Sequence, residues 1–218
     1  MQIVIATHNP HKRKELLDVA VTFRSRSRSE EASEARDTAH RDLKVTTTTI
    51  EFLTLDDIHP PIGEIEETGS TLEENALIKA RAVHEKTKLP TIADDTGLEV
   101  AALGGAPGVF SARYAGENAT YADNVNKLLD ALRGEANRRA KFSTVIAYID
   151  ASGAEQLYRG EVKGTITESP RGTNGFGYDP IFAPNEDPAA RTFAEMTDAE
   201  KNAISHRGRA LRAFARAL

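Results

Sequence analysis

The residues with the clearest capacity for chemistry are carboxylates in two stretches near the middle of the chain. Glu66 and Glu67 stand in the first stretch, and Asp94 and Asp95 are adjacent in the second, "IADDTGLEV". Carboxylate oxygens suit Mg²⁺ or Mn²⁺, and Mg²⁺ is usually held by one or two carboxylates together with substrate phosphates. Neighbouring residues of an extended chain point to opposite faces, so one aspartate can face a ligand while the other serves the turn that Gly97 predicts. Asp95 then follows a strand end, where open α/β sheets bind ligands.

A phosphate-binding segment is indicated where the first predicted strand, residues 2–6, gives way to a helix. Asn9 is a favourable N-cap, and Pro10 suits the first helical turn. The free N–H groups at a helix N-terminus attract phosphate, and Lys12 adds a full positive charge there. The glycines of a P-loop are absent. Taken alone, this stretch favours the plainer alternative, an ordinary capped helix with a solvated basic face.

A glycine-rich loop with interleaved aromatic residues occupies residues 170–184 and contains "GFGYDP". Glycines let a backbone approach a ligand closely, and the rings of Phe176 and Tyr178 could stack on a base. The alternative is a tight turn whose aromatic side chains belong to the core, and the loop alone favours that alternative.

The last predicted helix starts at a capping box formed by Thr197 and Glu200 and carries several cations, among them Lys201 and Arg207. Gly208 inside this helix costs about 1 kcal/mol relative to alanine, which indicates close packing or the approach of a ligand. The alternative is a solvated cationic helix.

Strand and helix patterns alternate along the chain, so the sequence predicts an α/β fold. Residues 45–55 are rich in β-branched side chains and predict a strand, and two more strands are predicted on either side of residues 152–153. Two overlapping capping boxes in "STLEE", residues 70–74, predict the start of another helix.

The composition limits the class of protein. The 218 residues carry a formal net charge of −5 and include no cysteine, so disulfides, thiolate metal sites and cysteine nucleophiles are excluded. No apolar run has the length of a membrane span, and the N-terminus lacks a secretory signal. We therefore expect a cytoplasmic protein without a membrane partner. The acidic balance disfavours nucleic acid as a partner, because nucleic-acid binding needs a basic surface.

Residues 24–44 differ from the rest of the chain, because their apolar content collapses and their charges alternate in sign. They predict a solvated, mobile segment within a single domain that spans residues 1–218. An RNA-binding role for its "SRSRS" stretch is the weakest functional alternative, because the stretch is short and lies close to acidic residues.

These features together fit a Mg²⁺-dependent nucleotide hydrolase, and the sequence also resembles the inosine triphosphate pyrophosphatase (Ham1-like) family. The resemblance lies in five ordered stretches: "ATHNPHKRKEL", "EETGSTLEENALIKA", "ADDTGLEVAALGGAPGVFSARYAG", "GFGYDPIF" and "EKNAISHRGRAL". It implies hydrolysis of the non-standard purine nucleoside triphosphates ITP, dITP and XTP to the monophosphate and pyrophosphate. It also implies Mg²⁺, with Mn²⁺ as a substitute, and a homodimer. The implied fold is an elongated mixed sheet flanked by helices, with two lobes around a central substrate cleft.

By position, the resemblance implies that Asp95 is catalytic and orients or deprotonates the attacking water. Glu66 or Glu67 would bind the metal together with Asp95. His8 and Thr96 depart from the glycine and serine that bacterial members often have, and residues 24–44 look like an insertion. The implied substrate contacts are Thr7, His8, Asn9, Lys12, Lys79, Thr96, Phe176, Gly177, Tyr178, Asp179, Lys201, His206 and Arg207.

Two alternatives to this function stay open. A Maf-like pyrophosphatase, which would act on pyrimidine or modified nucleotides, is similar in fold and chemistry, although "SHR" and "FGYDP" favour the purine enzyme. A nucleotide-binding regulator without catalysis is the other alternative, and the full set of carboxylates argues against it.

Overall fold

The computed structural model describes residues 1–18 and 50–218. The segment 24–44, with its predicted mobility and its RNA-binding alternative, lies outside the described residues. The described chain forms a seven-stranded mixed sheet with helices on both faces, which confirms the predicted α/β class. The strands are β1 (Gln2–Ile5), β2 (Glu51–Thr54), β3 (Thr91–Val100), β4 (Pro107–Gly108), β5 (Arg139–Ile149), β6 (Glu155–Ile166) and β7 (Phe182–Pro184).

The strand order is β2-β1-β3-β5-β6-β7, and β4 pairs separately with β3. β1 lies parallel to β2 and to β3, whereas the remaining pairings are antiparallel. The hairpin predicted around residues 152–153 is confirmed, because β5 and β6 pair from Ile149 with Glu155 to Arg139 with Thr165. The strand predicted over 45–55 is described only from residue 50, and there β2 forms.

The helices begin where the sequence offers caps. Helix α1 is described over residues 10–18, and the Asn9 side chain accepts hydrogen bonds from the N–H groups of His11 and Lys12, as its predicted N-cap role requires. Of the two predicted capping boxes, Thr71 is the N-cap, because its hydroxyl accepts from the Glu74 N–H at 3.1 Å. No described helix combines the length and the apolar composition needed to cross a membrane. The other helices are α2 (Leu72–Thr87), α3 (Tyr121–Ala131), α4 (Asp198–Ile204) and α5 (His206–Ala215).

The single C-terminal helix that the sequence predicts is in fact two helices. Ser205 ends α4 and caps α5 in an extended conformation, and its hydroxyl accepts a hydrogen bond from the Gly208 N–H at 3.1 Å. The close packing predicted at Gly208 is confirmed, because an added Cβ would lie 2.0 Å from the carbonyl oxygen of Asn202. The break brings the first residues of α5 beside the last turns of α4.

The turn predicted at Gly97 is wrong, and Asp95 does not follow a strand end. β3 continues without a break through "DDTG" and pairs with β5 along its whole length. Gly97 serves a close approach instead, because a Cβ there would lie 2.8 Å from the carbonyl oxygen of Gly108 on β4. Since Asp94 and Asp95 are both within the strand, their side chains point to opposite faces of the sheet.

β3 has an open edge at its centre. β1 pairs with β3 only at Thr91 and Ile92, and β4 pairs with it only at Leu98 and Glu99. Between these short pairings, residues 93–97 have a strand partner only on the β5 side in the described part of the chain. The carboxyl end of parallel strand β1 therefore lies next to a length of β3 that has no strand partner on that side among the described residues and that carries both aspartates.

Apolar packing fixes the helices on the two faces of the sheet. On one face, α2 packs its Ala80 side against Ala93 of β3. On the other face, Leu16 of α1 and Leu211 of α5 pack around Ile92. A third cluster joins α3 to the far ends of β3, β5 and β6. Each fully buried leucine or isoleucine contributes about 1.5–3 kcal/mol, so these clusters hold α1, α2 and α5 firmly around the open edge.

Candidate active site

Asp94 is buried on the face that α1 and α5 cover, and positive charge surrounds it. Arg207 Nη2 and Nε lie 3.1 and 3.2 Å from Asp94 Oδ2, and Lys12 Nζ lies 3.4 Å from the same oxygen. Burial by itself raises the pKa of Asp94, but the charges of Lys12 and Arg207 outweigh it and hold the pKa well below its usual range. Asp94 is therefore a permanent negative charge that orients two cations at the open edge.

Glu15 is a member of this site that the sequence analysis missed. Its buried carboxylate accepts a hydrogen bond from Lys201 Nζ at 2.6 Å and another from Arg207 Nη1. Burial by itself raises the pKa of Glu15, but the charges of Arg207 and Lys201 lower it overall. The sequence did carry a signal, because a residue three positions after Lys12 shares its face of α1.

Lys201 connects the glycine-rich loop to α4. Its Nζ lies 2.5 Å from Asp179 Oδ2, and the same oxygen accepts from the Phe176 N–H at 2.8 Å. Burial by itself lowers the pKa of Lys201, but the charges of Asp179 and Glu15 raise it overall. Lys201 is therefore a buried cation that links α1, α4 and the glycine-rich loop through its ion pairs with Glu15 and Asp179.

Thr96 lies two residues after Asp94 and on the same face of β3. Its hydroxyl accepts from Arg207 Nη2 at 3.1 Å and lies 2.6 Å from the hydroxyl of Thr144. Threonine at this position therefore keeps the hydroxyl group that a serine would have offered to Arg207.

Asp95 points to the opposite face and meets Lys79 of α2. Lys79 Nζ lies 3.4 Å from Asp95 Oδ1 and 2.5 Å from Glu67 Oε1. Burial by itself lowers the pKa of Lys79, but Asp95 and Glu67 raise it overall. Burial raises the pKa of Asp95, and the charge of Lys79 offsets this only in part. Glu67 and Asp95 thus both pair with Lys79. Glu66, by contrast, is exposed.

The oxygen atoms on this face meet the chemical requirements of Mg²⁺. Asp95 Oδ2 is buried and has no hydrogen-bond partner among the described residues. In that part of the chain, no three acidic, histidine or cysteine side chains gather into a ready-made metal cluster. Mg²⁺ needs only one or two carboxylates when substrate phosphates supply further oxygens. Asp95 and Glu67 therefore fit a Mg²⁺ that binds jointly with phosphate.

A cavity of about 80 Å³ lies beside the Asp94 face, between the glycine-rich loop and α3. Tyr178 is buried in its wall and donates its hydroxyl to the Ser111 carbonyl oxygen at 2.9 Å, so its ring belongs to the core. Phe176 is only half-buried, which leaves it as the more accessible ring of the loop. The lining includes nine of the predicted substrate contacts: Lys12, Thr96, Phe176, Gly177, Tyr178, Asp179, Lys201, His206 and Arg207.

His206 provides a buried, uncharged ring in the same cavity. The ring stacks on Phe142 with centroids 4.5 Å apart and planes 13° from parallel. Burial lowers the pKa of His206 well below its usual value, and the charges of Arg207 and Lys201 lower it further. His206 Nδ1 is buried without a hydrogen-bond partner among the described residues, so it is available to a ligand.

The predicted phosphate segment uses its first side chains locally. The Thr7 hydroxyl accepts from the Asn9 N–H at 3.2 Å, and a ring nitrogen of His8 lies 3.2 Å from the Gly63 carbonyl oxygen. Lys12 extends to Asp94 and into the cavity. Burial lowers the pKa of Lys12, and Asp94 compensates for this only in part.

Comparison with known proteins gives consistent results over nearly the full length. Residues 3–217 match the model of the Ham1 family. The chain is 45% identical over 213 residues to a protein of Thermoanaerobacter sp. (strain X514) named dITP/XTP pyrophosphatase, and the match covers 97% of this chain and 93% of that protein. A protein of Christiangramia forsetii with the same name is 43% identical, over 97% of this chain and 96% of that one.

Solved structures show the same similarity. A HAM1 protein from Coxiella burnetii has a TM-score of 0.77 and 42% identity, and the match covers 100% of this chain and 98% of that chain. The Ham1 protein of Staphylococcus aureus has a TM-score of 0.78 and 35% identity, with coverages of 99% and 97%. The match to the family model over residues 3–217 and the identity to these relatives over nearly the whole chain lead to one conclusion: this protein belongs to the Ham1 family.

Proposed function

We propose that this protein hydrolyses non-standard purine nucleoside triphosphates (ITP, dITP and XTP) to the nucleoside monophosphate and pyrophosphate, with Mg²⁺. One observation carries the proposal. The open edge of β3 presents a cationic, aromatic cavity on the Asp94 face and two metal-suited carboxylates on the Asp95 face. A nucleotide lying across this edge would have its base in the cavity and its phosphates near Asp95. The names of the relatives, dITP/XTP pyrophosphatase, support the same substrates.

The triphosphate would bind between the start of α1 and Lys79. The Asn9 side chain already accepts from the N–H groups of His11 and Lys12, so the start of α1 would contribute mainly the positive end of its dipole, which favours a negative ligand beside Thr7, His8 and Asn9. Lys12 and Lys79 would add two positive charges. Because burial lowers the pKa of Lys12, an arriving phosphate would favour its charged form.

Glu67 and Asp95 would hold the Mg²⁺, and Glu66 is the less suitable neighbour because it is exposed. When bound there, Mg²⁺ would neutralise phosphate charge and make water more acidic. Asp95 would orient a water molecule and accept its proton while the water oxygen attacks the α-phosphorus. The bond from that phosphorus to the α,β-bridging oxygen then breaks, and pyrophosphate leaves with the electron pair. Such chemistry consists mostly of positioning and charge neutralisation, which these fixed charges supply.

The purine would lie against Phe176, near His206 and Arg207. Arg207 can only donate hydrogen bonds, so it matches the 6-oxo oxygen of hypoxanthine or xanthine and not the 6-amino group of adenine. The buried Nδ1 of His206 would find a partner on the same base. Groups left unpaired by the wrong base are costly, so we expect ATP to be disfavoured by at least about 100-fold.

The test is product analysis by phosphorus NMR with ITP and Mg²⁺. We expect inosine monophosphate and pyrophosphate from the unaltered protein and from Asp130→Asn, which changes an exposed aspartate. Asp95→Asn should be slower by about 100-fold or more. Release of orthophosphate with formation of the diphosphate would overturn the proposed bond cleavage. A homodimer and a cytoplasmic location stay predictions.

A further inference from the structure

Three aromatic rings meet at the rim of the cavity, and each comes from a different segment. His11 lies in the first turn of α1, Tyr121 begins α3, and Phe176 lies in the glycine-rich loop. The rings of His11 and Phe176 are 5.1 Å apart between centroids and 18° from parallel. Tyr121 is tilted against Phe176 at 5.8 Å and lies edge-on to His11 at 6.1 Å.

The ring of Phe176 takes its position from these neighbours, whereas its backbone is held separately. The Phe176 N–H donates to Asp179, and the flanking Gly175 and Gly177 have positive φ values of 72° and 61°. This backbone arrangement fixes the loop but leaves the ring without a polar anchor. The contacts that orient the ring are therefore the stacked imidazole of His11, the ring of Tyr121 and cations of the cavity. Lys201 Nζ lies over the Phe176 ring at 5.0 Å from its centroid.

The side chain of His11 has no evident role in stabilising the fold. Its backbone N–H donates to the Asn9 cap at 3.0 Å, and any residue could supply that group. Its side chain is exposed and belongs to none of the described apolar clusters. Tyr121 strengthens the connection, because Asn9 Nδ2 donates to its hydroxyl at 3.1 Å. The proposed phosphate segment and the ring that would stack on the base are thus joined through His11.

We propose that His11 is a positioning residue that holds Phe176 in the orientation required for stacking on the purine. The proposal rests on the proposed function. Because His11 belongs to the segment that would bind the triphosphate, it also fixes the distance between base and phosphate contacts. Its effect comes from the aromatic ring and not from hydrogen bonding by its nitrogens.

Two substitutions of His11 separate the ring from its polar atoms. His11→Gln keeps a hydrogen-bonding group and removes the ring, whereas His11→Phe keeps a ring and removes the nitrogens. We expect His11→Gln to lower kcat/KM for ITP by about three- to tenfold, mainly through KM, as befits the loss of one aromatic stack. His11→Phe should stay within about twofold of the unaltered protein. His59→Gln, at another exposed histidine, is the matched control and should change nothing.

Urea unfolding of the same proteins shows whether each is fully folded under the assay conditions, so that a lower kcat/KM in His11→Gln is not caused by unfolded protein. An unchanged or raised kcat/KM in His11→Gln, or a loss of the same size in His11→Phe, would overturn the role of His11 and leave the proposed function standing. Absence of pyrophosphate release from ITP by the unaltered protein would overturn the proposed function and this inference together.

Discussion

At the scale of single residues, the adjacent aspartates differ because the sheet separates them. Asp94 is enclosed by cations and has its pKa held down, so it serves as a fixed charge for Lys12 and Arg207. Asp95, on the other face, has one buried oxygen without a hydrogen-bond partner among residues 1–18 and 50–218, and burial raises its pKa. Asp94 thus pairs with the cations on one face, whereas Asp95 has an oxygen that, under the proposed function, would bind the metal and a water.

The same geometry predicts different results at the neighbouring glutamates. Glu67, which lies 2.5 Å from Lys79, is one of the two carboxylates proposed to hold Mg²⁺. Because Glu67→Gln removes its negative charge, the Mg²⁺ concentration for half-maximal activity should rise by about tenfold or more. Glu66→Gln is the natural control, because Glu66 is exposed, and we expect a change below about twofold. Titration of activity with MgCl₂ measures both. Equal effects would mean that Glu67 has no special part in binding the metal.

The burial of His206 predicts that the protein loses stability in acid. Its folded-state pKa lies well below the unfolded value because burial and the charges of Arg207 and Lys201 disfavour its protonation, while Asp94 opposes this only weakly. The unfolded chain therefore binds a proton that the folded protein does not. The stabilisation is fully present above the unfolded pKa and is lost as pH falls below about 6.5. As pH falls from about 7.5 to about 5.5, His206 should lower the free energy of unfolding by about 1.4 kcal/mol.

Urea unfolding at both pH values, for the unaltered protein and for His206→Phe, isolates this contribution. The substituted ring can still pack against Phe142 but cannot bind a proton, so its loss of stability in acid should be smaller by about that amount. Identical losses in both proteins would show that His206 does not stay neutral when buried.

At the scale of elements, close backbone approaches position the residues of the site. α5 carries His206 and Arg207, and it packs against Gly160 of β6. A Cβ at position 160 would lie 2.1 Å from the His206 carbonyl oxygen and 2.4 Å from the Ala210 nitrogen. The break at Ser205 and this contact together determine how far the start of α5 reaches into the cavity.

Gly160→Ala should therefore displace α5 and weaken both stability and activity. Because backbone atoms must move, we expect a loss of about 1–3 kcal/mol in unfolding free energy, together with a lower kcat/KM for ITP. Gly63→Ala is the matched control, since nothing lies within 4 Å of its added Cβ, and its effect should stay within about 0.5 kcal/mol. A variant at Gly160 as stable as the control would mean that the α5 packing is loose.

At the scale of the whole molecule, the sequence predicted local elements better than their arrangement. Caps at Asn9 and Thr71 and the β5–β6 hairpin depend on residues close in the chain, so local rules found them. The turn at Gly97 was wrong because its reason is a contact with β4, which no local pattern reveals.

The site was predicted in the same uneven way. Residue types identified the chemistry, and the family resemblance supplied most positions. Glu15 was missed because its partners, Lys201 and Arg207, lie far away in the sequence and reach it only after α1 and α5 pack on one face. The opposite orientation of Asp94 and Asp95 was predicted. The open edge beside them could not be, because it arises from the short pairings of β1 and β4 with β3.

The most direct test of the whole account is the rate of pyrophosphate release from ITP, XTP, GTP and ATP, each with Mg²⁺ and with EDTA. We predict that kcat/KM for ITP and XTP exceeds that for ATP, which lacks the 6-oxo group, by at least about 100-fold. GTP shares the 6-oxo group and therefore tests the effect of the 2-amino group separately. Activity should vanish in EDTA and be largely lost in Asp95→Asn. Equal turnover of ATP and ITP, or turnover that persists in EDTA, would contradict the account.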